Sequence, residues 1–142
     1  MASLLSDLQK FFEERAAELG VRMAFLYGSR ARGIPREGSD LDIAVVFDPG
    51  VSEADEVFRR TTSISLALGD IVGLEVNVLA ITLDSPKPML YHNAIVMGTP
   101  VFMKDLGDYV NLRHEVMGQM EDFQLFGVRW QLEAARRNLS HG

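Results

Sequence analysis

The chain contains no cysteine, which excludes disulfides, thiolate nucleophiles and cysteine-bound zinc. That absence fits a reducing compartment, and the expected location is cytoplasmic. Long apolar runs are missing too. A run such as Ile43 to Phe47, which none exceeds, is far too short to span a bilayer, so no membrane association is expected. Near the start of the chain Asp7, Lys10, Glu13 and Glu14 interrupt any apolar stretch of the kind a signal peptide needs. No Pro/Gly/Ser-rich linker, low-complexity tract or internal repeat divides the sequence, which predicts one domain over residues 1–142. Positive charge is also short. A net charge of −6 argues against a protein that holds long nucleic acid by its phosphates. A nucleotide chelated by a metal ion is still compatible, because the metal supplies positive charge locally. The three histidines, His92, His114 and His141, lack metal-ligand spacing.

What is present is ordinary globular material, with 47% hydrophobic and 24% charged residues. Leu4, Leu5, Leu8, Phe11, Phe12, Ala16 and Leu19 recur at helical spacing from Ser3 onward, and Gly20 ends that helix. Val21 to Tyr27 reads as a buried strand stopped by Gly28. Gly33, Pro35 and Gly38 mark an irregular connection around a short helix, and Asp40 to Phe47 is a second strand. A helix from Ser52 to Leu68 follows, with Ser52 as its cap. Glu75 to Ile81 is a third strand. Asp84-Ser85-Pro86 then opens a helix that runs to about Met97, Val101 to Met103 is a short fourth strand, and a helical tail covers about 105–139 with a break near Gly118 or Gly127. This order predicts an α/β (α+β) fold, a mixed sheet of about four strands with its helices mainly on one face.

The chemistry is concentrated in the segment GSRARGIPREGSDLD, residues 28–42. A glycine at the end of a strand lets the backbone turn sharply and approach a phosphate. Ser29 adds a hydroxyl and starts a turn whose free N–H groups favour anions. Gly28 and Ser29 therefore form a candidate cradle for the phosphates of a nucleoside triphosphate. Asp40 and Asp42 lie two apart on a strand, so both side chains leave one face with their roots about 6–7 Å apart. Two like charges so close repel unless a cation lies between them, and Mg²⁺, which takes one or two carboxylates and completes its shell with phosphate and water, suits the pair. Alone, a Gly-Ser is usually a turn and an Asp-x-Asp usually a solvated strand end. With ten residues between Ser29 and Asp40 and each motif beside a strand end, they are far more specific.

On these residues the sequence resembles the minimal nucleotidyltransferase (MNT) family of the DNA polymerase β-like superfamily, whose signature is Gly-Ser, about ten residues, then Asp-x-Asp. The resemblance extends over nearly the whole chain, through VMGTPVFMKD and MEDFQLFGVRW. It implies the superfamily's mixed sheet with flanking helices, a triphosphate on Gly28 and Ser29, and Mg²⁺ (or Mn²⁺) on Asp40 and Asp42, with ATP as substrate. It also implies a partner, since MNT proteins commonly serve as antitoxins that modify a tyrosine of a HEPN-type RNase toxin.

The pattern breaks at one place. The superfamily usually carries a third carboxylate on a later strand, and the matching position here, in Leu74-Glu75-Val76-Asn77-Val78-Leu79, is Asn77. An asparagine offers a metal a neutral oxygen but neither a charge nor a base. Glu75, two residues away, is the alternative source of the missing charge.

Other residues carry two readings each. Arg30 and Arg32 suit phosphates bidentately and equally suit a solvated loop. Tyr27 suits a base or ribose, and equally a core tyrosine with its hydroxyl at the rim. Some of the apolar tail must cover the sheet, yet Phe123, Phe126 and Trp130 exceed what one amphipathic face needs, so a partner-binding or self-association (homodimer) surface is a second use. Three functions compete: AMP transfer from ATP to a hydroxyl of a toxin, capture of the toxin by a catalytically weakened nucleotide-binding module, and transfer to a small molecule, for which 142 residues leave little room for an acceptor domain.

Overall fold

The computed structural model describes residues 2–28, 40–82, 84 and 87–141. Its elements are α1 (Ala2–Leu19), β1 (Val21–Tyr27), β2 (Leu41–Phe47), α2 (Ala54–Val72), β3 (Val76–Ala80), α3 (Pro88–Tyr91) running into a π-helical stretch (His92–Val96), β4 (Thr99–Met103) and α4 (Leu106–His141). The strands form one sheet in the order β3-β2-β1-β4. β1 pairs antiparallel with both β2 and β4, while β2 and β3 are parallel. The parallel pair needs a crossover, and α2 supplies it. This is the mixed four-stranded sheet with a helical tail that the sequence predicts.

The expectation of helices mainly on one face does not hold, because both faces are covered. On one face Leu8, Phe12 and Ala16 of α1 and Ile64 and Leu68 of α2 pack against Ala24, Leu26, Leu41, Ile43 and Val45. On the other, Tyr91, Ala94 and Ile95 from the α3–π segment and Leu112 and Val116 of α4 pack against Met23, Phe25 and Ala44. The physical reason is strand alternation: β1 and β2 are apolar at odd and even positions alike, so an uncovered face would leave Phe25 and Ala44, both 0% exposed, in water.

Several boundaries also differ from the sequence reading: α2 runs on to Val72 rather than Leu68, and β4 begins at Thr99 rather than Val101. The N-cap of α2 is Glu53, not Ser52, and it makes no side-chain capping bond. Asp55 and Glu56 in the first turn stabilise that end through the helix dipole instead. The helix expected after Asp84 starts at Pro88 and widens into a π turn at His92; Ser85 and Pro86 lie outside the described residues. α4 runs 36 residues without a break at Gly118 or Gly127. Glycine costs a helix about 1 kcal/mol relative to alanine but keeps its N–H and accepts helical angles, so an isolated one does not stop it.

The π stretch lies tightly against the sheet because of Gly98. A Cβ there would meet the carbonyl oxygens of Ala94 and, at 2.9 Å, Leu26, and only glycine allows that approach. At the opposite end of β1, Arg22 grips Asp108 of α4 through Nε and Nη2 at 2.9 and 2.6 Å. Arg60 of α2 donates from Nη1 to the Leu19 carbonyl oxygen at 2.6 Å and so caps the end of α1. Among the described residues no helix is long and apolar enough to cross a membrane.

Candidate active site

Strand register assembles the site. Tyr27, the last residue of β1, stands opposite Asp42 of β2, and Asp42 stands opposite Asn77 of β3. Three strands thus contribute one residue each to a row across the end of the sheet. Asp42 shares a face with Ala44, two residues on, and so belongs to the side covered by the α3–π segment and α4. Leu41, between the two aspartates, is 0% exposed in the opposite core. Asp40 and Asp42 are both partly exposed.

Asn77 ties the two carboxylates together. Its Nδ2 donates to Asp40 Oδ2 at 3.0 Å and to Asp42 Oδ1 at 3.3 Å. The sequence places Asn77 beside the pair as an oxygen donor to a metal. In the structure its amide nitrogen takes the position between the like charges, where it partly offsets their repulsion. Glu75 stands just before β3 with an exposed side chain, and its contribution here is its backbone carbonyl, which accepts from the Leu41 N–H at 2.8 Å. Ser29, Arg30 and Arg32, expected at the phosphates, lie outside the described residues.

Gly28 meets the structural requirement that the sequence suggested. Its φ is +80°, and a Cβ would sit 2.5 Å from Asp42 Oδ2. The backbone angle and the close approach both demand glycine. Gly28→Ala should therefore cost about 2 kcal/mol of stability and displace Asp42; a thermal melt lowered by several degrees, with weakened nucleotide binding, is the expected result. A melt and an affinity unchanged from the parent would show that the turn does not depend on Gly28.

The donor set suits a hard divalent cation. Two carboxylates and, with its amide turned over, the Oδ1 of Asn77 are all oxygen ligands of the kind Mg²⁺ or Mn²⁺ takes, and the absence of a Cβ at Gly28 leaves Asp42 Oδ2 open. Among the described residues no group of three His, Cys, Asp or Glu gathers at one place, so the acidic contribution here is two carboxylates.

Tyr27 gains a definite environment that strand alternation alone does not give. Its hydroxyl is pushed above the ordinary tyrosine value of 10.0, first by burial and then by the negative charge of Asp42. A raised folded value means that keeping Tyr27 neutral adds stability that is fully present below pH 10.0 and is lost as pH climbs through the raised value. The tyrosinate absorbance of Tyr27, isolated as the difference between the parent and Tyr27→Phe, should therefore titrate late. Asp42→Asn should bring it down part of the way, leaving the share due to burial. A midpoint that ignores Asp42→Asn would mean the two groups do not interact.

Comparison with known proteins gives three findings. The family model described as Polymerase beta, Nucleotidyltransferase matches residues 7–106, which include the whole row. A Methanocaldococcus jannaschii protein bearing the name protein adenylyltransferase is 39% identical over 71 residues, 50% of this chain and 69% of that protein. Among solved structures, a toxin–antitoxin with AMP-PNP superposes with a TM-score of 0.67 at 13% identity, covering 89% of this chain and 98% of the other. A complex of tri-AMPylated Shewanella oneidensis HEPN toxin with MNT antitoxin superposes with a TM-score of 0.59 at 14% identity, over 89% and 98% of the two chains. At such identities the superpositions establish a shared fold.

Proposed function

The chain belongs to the polymerase beta nucleotidyltransferase family, and on that premise we propose that it is a minimal nucleotidyltransferase that transfers AMP from ATP to a hydroxyl of a partner protein, a tyrosine of a HEPN-type toxin, and so acts as an antitoxin in the cytoplasm. The observation that carries this reading is the Asp40–Asp42 pair held beside the open Gly28 turn at the end of the sheet. The M. jannaschii relative is named for protein adenylylation, and the solved neighbours are toxin–antitoxin complexes, one of them with an AMPylated HEPN toxin.

In the reaction the acceptor oxygen attacks the α-phosphorus in line, the bond to the bridging oxygen of the β-phosphate breaks, and pyrophosphate leaves. Asp40 and Asp42 would hold Mg²⁺ or Mn²⁺, which when bound neutralises charge on the triphosphate and the leaving group. Gly28, with Ser29 after it, keeps the strand end clear of side chain so that the backbone can approach the phosphates. Arg30 and Arg32, two and four residues after Gly28 in the sequence, would steady them. The acceptor's proton has few destinations. Asn77 cannot take it, and within the row it falls to Asp40, Asp42 or water. Carboxylates committed to a cation are poor bases, so turnover in this chain is expected to be slow.

The same Asn77 supports a second reading, in which the domain binds nucleotide but neutralises its partner by capture. The exposed Phe123, Phe126 and Trp130, at 46%, 69% and 62%, offer the large aromatic anchors such capture needs. Incubation with [α-³²P]ATP, Mg²⁺ or Mn²⁺ and the purified HEPN-type partner separates the two. Label on a partner tyrosine is expected from the transferase. A stable complex that never acquires label identifies the binder.

A further inference from the structure

The free half of α4 carries a pattern that nucleotidyl transfer does not use. Glu115, Asp122, Arg129 and Arg136 recur at intervals of seven, so on a helix wound against another helix all four occupy one edge of the contact face. The first two are acidic and the last two basic. All four are exposed, and among the described residues none joins an ion pair. Beside this edge run Leu125, Val128 and Leu132 at alternating spacings of three and four, and they are 59%, 53% and 64% exposed. Gly118 precedes and Ala135 follows on the same seam. The seam faces away from the body of the domain, because Val116, which α4 buries against the sheet, lies nine residues or two and a half turns from Leu125. A second helix can therefore lie along it without displacing the fold.

We infer that the occupant of this seam is α4 of a second copy of the chain, packed antiparallel. Charge selects both the partner and the direction. A parallel copy would set these charges against the opposite edge of the seam, which carries the uncharged Met117, Gln124 and Gln131, so no opposite-charge pair would form. An antiparallel copy sets Glu115 against Arg136 and Asp122 against Arg129, in both directions, since both pairs share a midpoint between Leu125 and Phe126. Four opposite-charge pairs form, with no like-charge contact along the edge. The seam then places Leu125 on Val128 of the second copy and Gly118 on its Ala135. Such a two-fold contact is isologous and closes on itself, so it stops at a dimer. Glu121 is the one charged residue on the seam and holds the association to moderate strength. Phe123, Phe126 and Trp130 fall outside the seam, which leaves them open to a different protein. The inference thus stands apart from the transferase reading and does not rest on it.

Sedimentation velocity of the full chain should show a species of twice the 15.8 kDa chain mass that dissociates on dilution and with added salt. Glu115→Arg with Asp122→Arg, which makes the edge all basic, should weaken association at least about tenfold, equivalent to 1.4 kcal/mol. Arg129→Glu with Arg136→Glu should do the same, and an equimolar mixture of the two variants should recover the dimer. Glu121→Leu should tighten it. Because the chain has no cysteine, a spin label at Asn111→Cys reports direction: the 1.5 Å rise per residue puts antiparallel labels about 40 Å apart and parallel ones under about 20 Å. Circular dichroism and a thermal melt confirm that each variant is folded. A chain that stays monomeric at all concentrations overturns the inference. So do charge-reversed variants that dimerise unchanged, a short label distance, or a seam that is covered only when a different protein is added.

Discussion

Asp42→Ala should abolish nucleotidyl transfer while leaving the domain folded. Asp42 is the centre of the row: it faces Tyr27 on one side and Asn77 on the other, and Oδ2 is the atom that the missing Cβ of Gly28 leaves open. Removing it takes away half of the carboxylate pair. A single lone carboxylate holds Mg²⁺–triphosphate poorly, and the charge developing at the α-phosphorus loses its compensation. Loss of one such electrostatic element costs on the order of 10²–10³ in rate, and loss of a cation several kcal/mol, so label transfer should fall at least about 10³-fold. Stability should barely change, within about 0.5 kcal/mol, because the deletion also relieves repulsion from Asp40 and leaves Asn77 its 3.0 Å bond to Asp40 Oδ2. The same variant separates the two readings in cells. A transferase carrying it stops neutralising its partner, whereas a capturing protein continues. Transfer retained within tenfold of the parent would falsify the assignment of Asp42.

Asn77→Asp should act in the opposite direction and raise the transfer rate by about 10², the lower range of what a positioned proton acceptor contributes. The register that sets residue 77 opposite Asp42 means that the new carboxylate arrives already beside the pair. It adds both a ligand charge and a base. Without metal the same change is unfavourable. The hydrogen bonds of 3.0 and 3.3 Å from Nδ2 to the two aspartates are lost, and three carboxylates crowd one corner of the sheet. The melting temperature in chelator should therefore drop by about 4 °C for each 1 kcal/mol lost, and Mg²⁺ should restore it by binding the folded state. The rate gain together with the metal-dependent recovery is the signature. A rate that stays flat while Mg²⁺ rescues stability would mean that residue 77 is a ligand position and the proton leaves by another route.

Much of the site was visible in one dimension because its parts are local. Gly28, Asp40 and Asp42 lie within fifteen residues, and strand alternation alone puts the two carboxylates on one face. Asn77 stood out only against the pattern of the resembled family. Nothing in its own neighbourhood reveals that its amide nitrogen bridges both aspartates, since that contact spans 37 and 35 residues and depends on the β2–β3 register. Tyr27 kept two readings for the same reason: burial and the Asp42 charge act on it together only once β1 lies against β2.

By itself the sequence determined the order of the described strands and long helices, the mixed sheet and the glycine at the end of β1, because periodicity, turn residues and short-range spacing are properties of neighbours along the chain. It also carried the heptad-spaced charges of α4, whose meaning waited on seeing that helix continuous through Gly118 and Gly127 and largely exposed from Glu121 to Arg137. Tertiary structure alone decided that both sheet faces are covered, that Asn77 bridges the aspartate pair, and that the charged edge of α4 points away from the body. Each of those depends on which surfaces meet at long range, and apolar burial on two faces at once, rather than local propensity, made that choice.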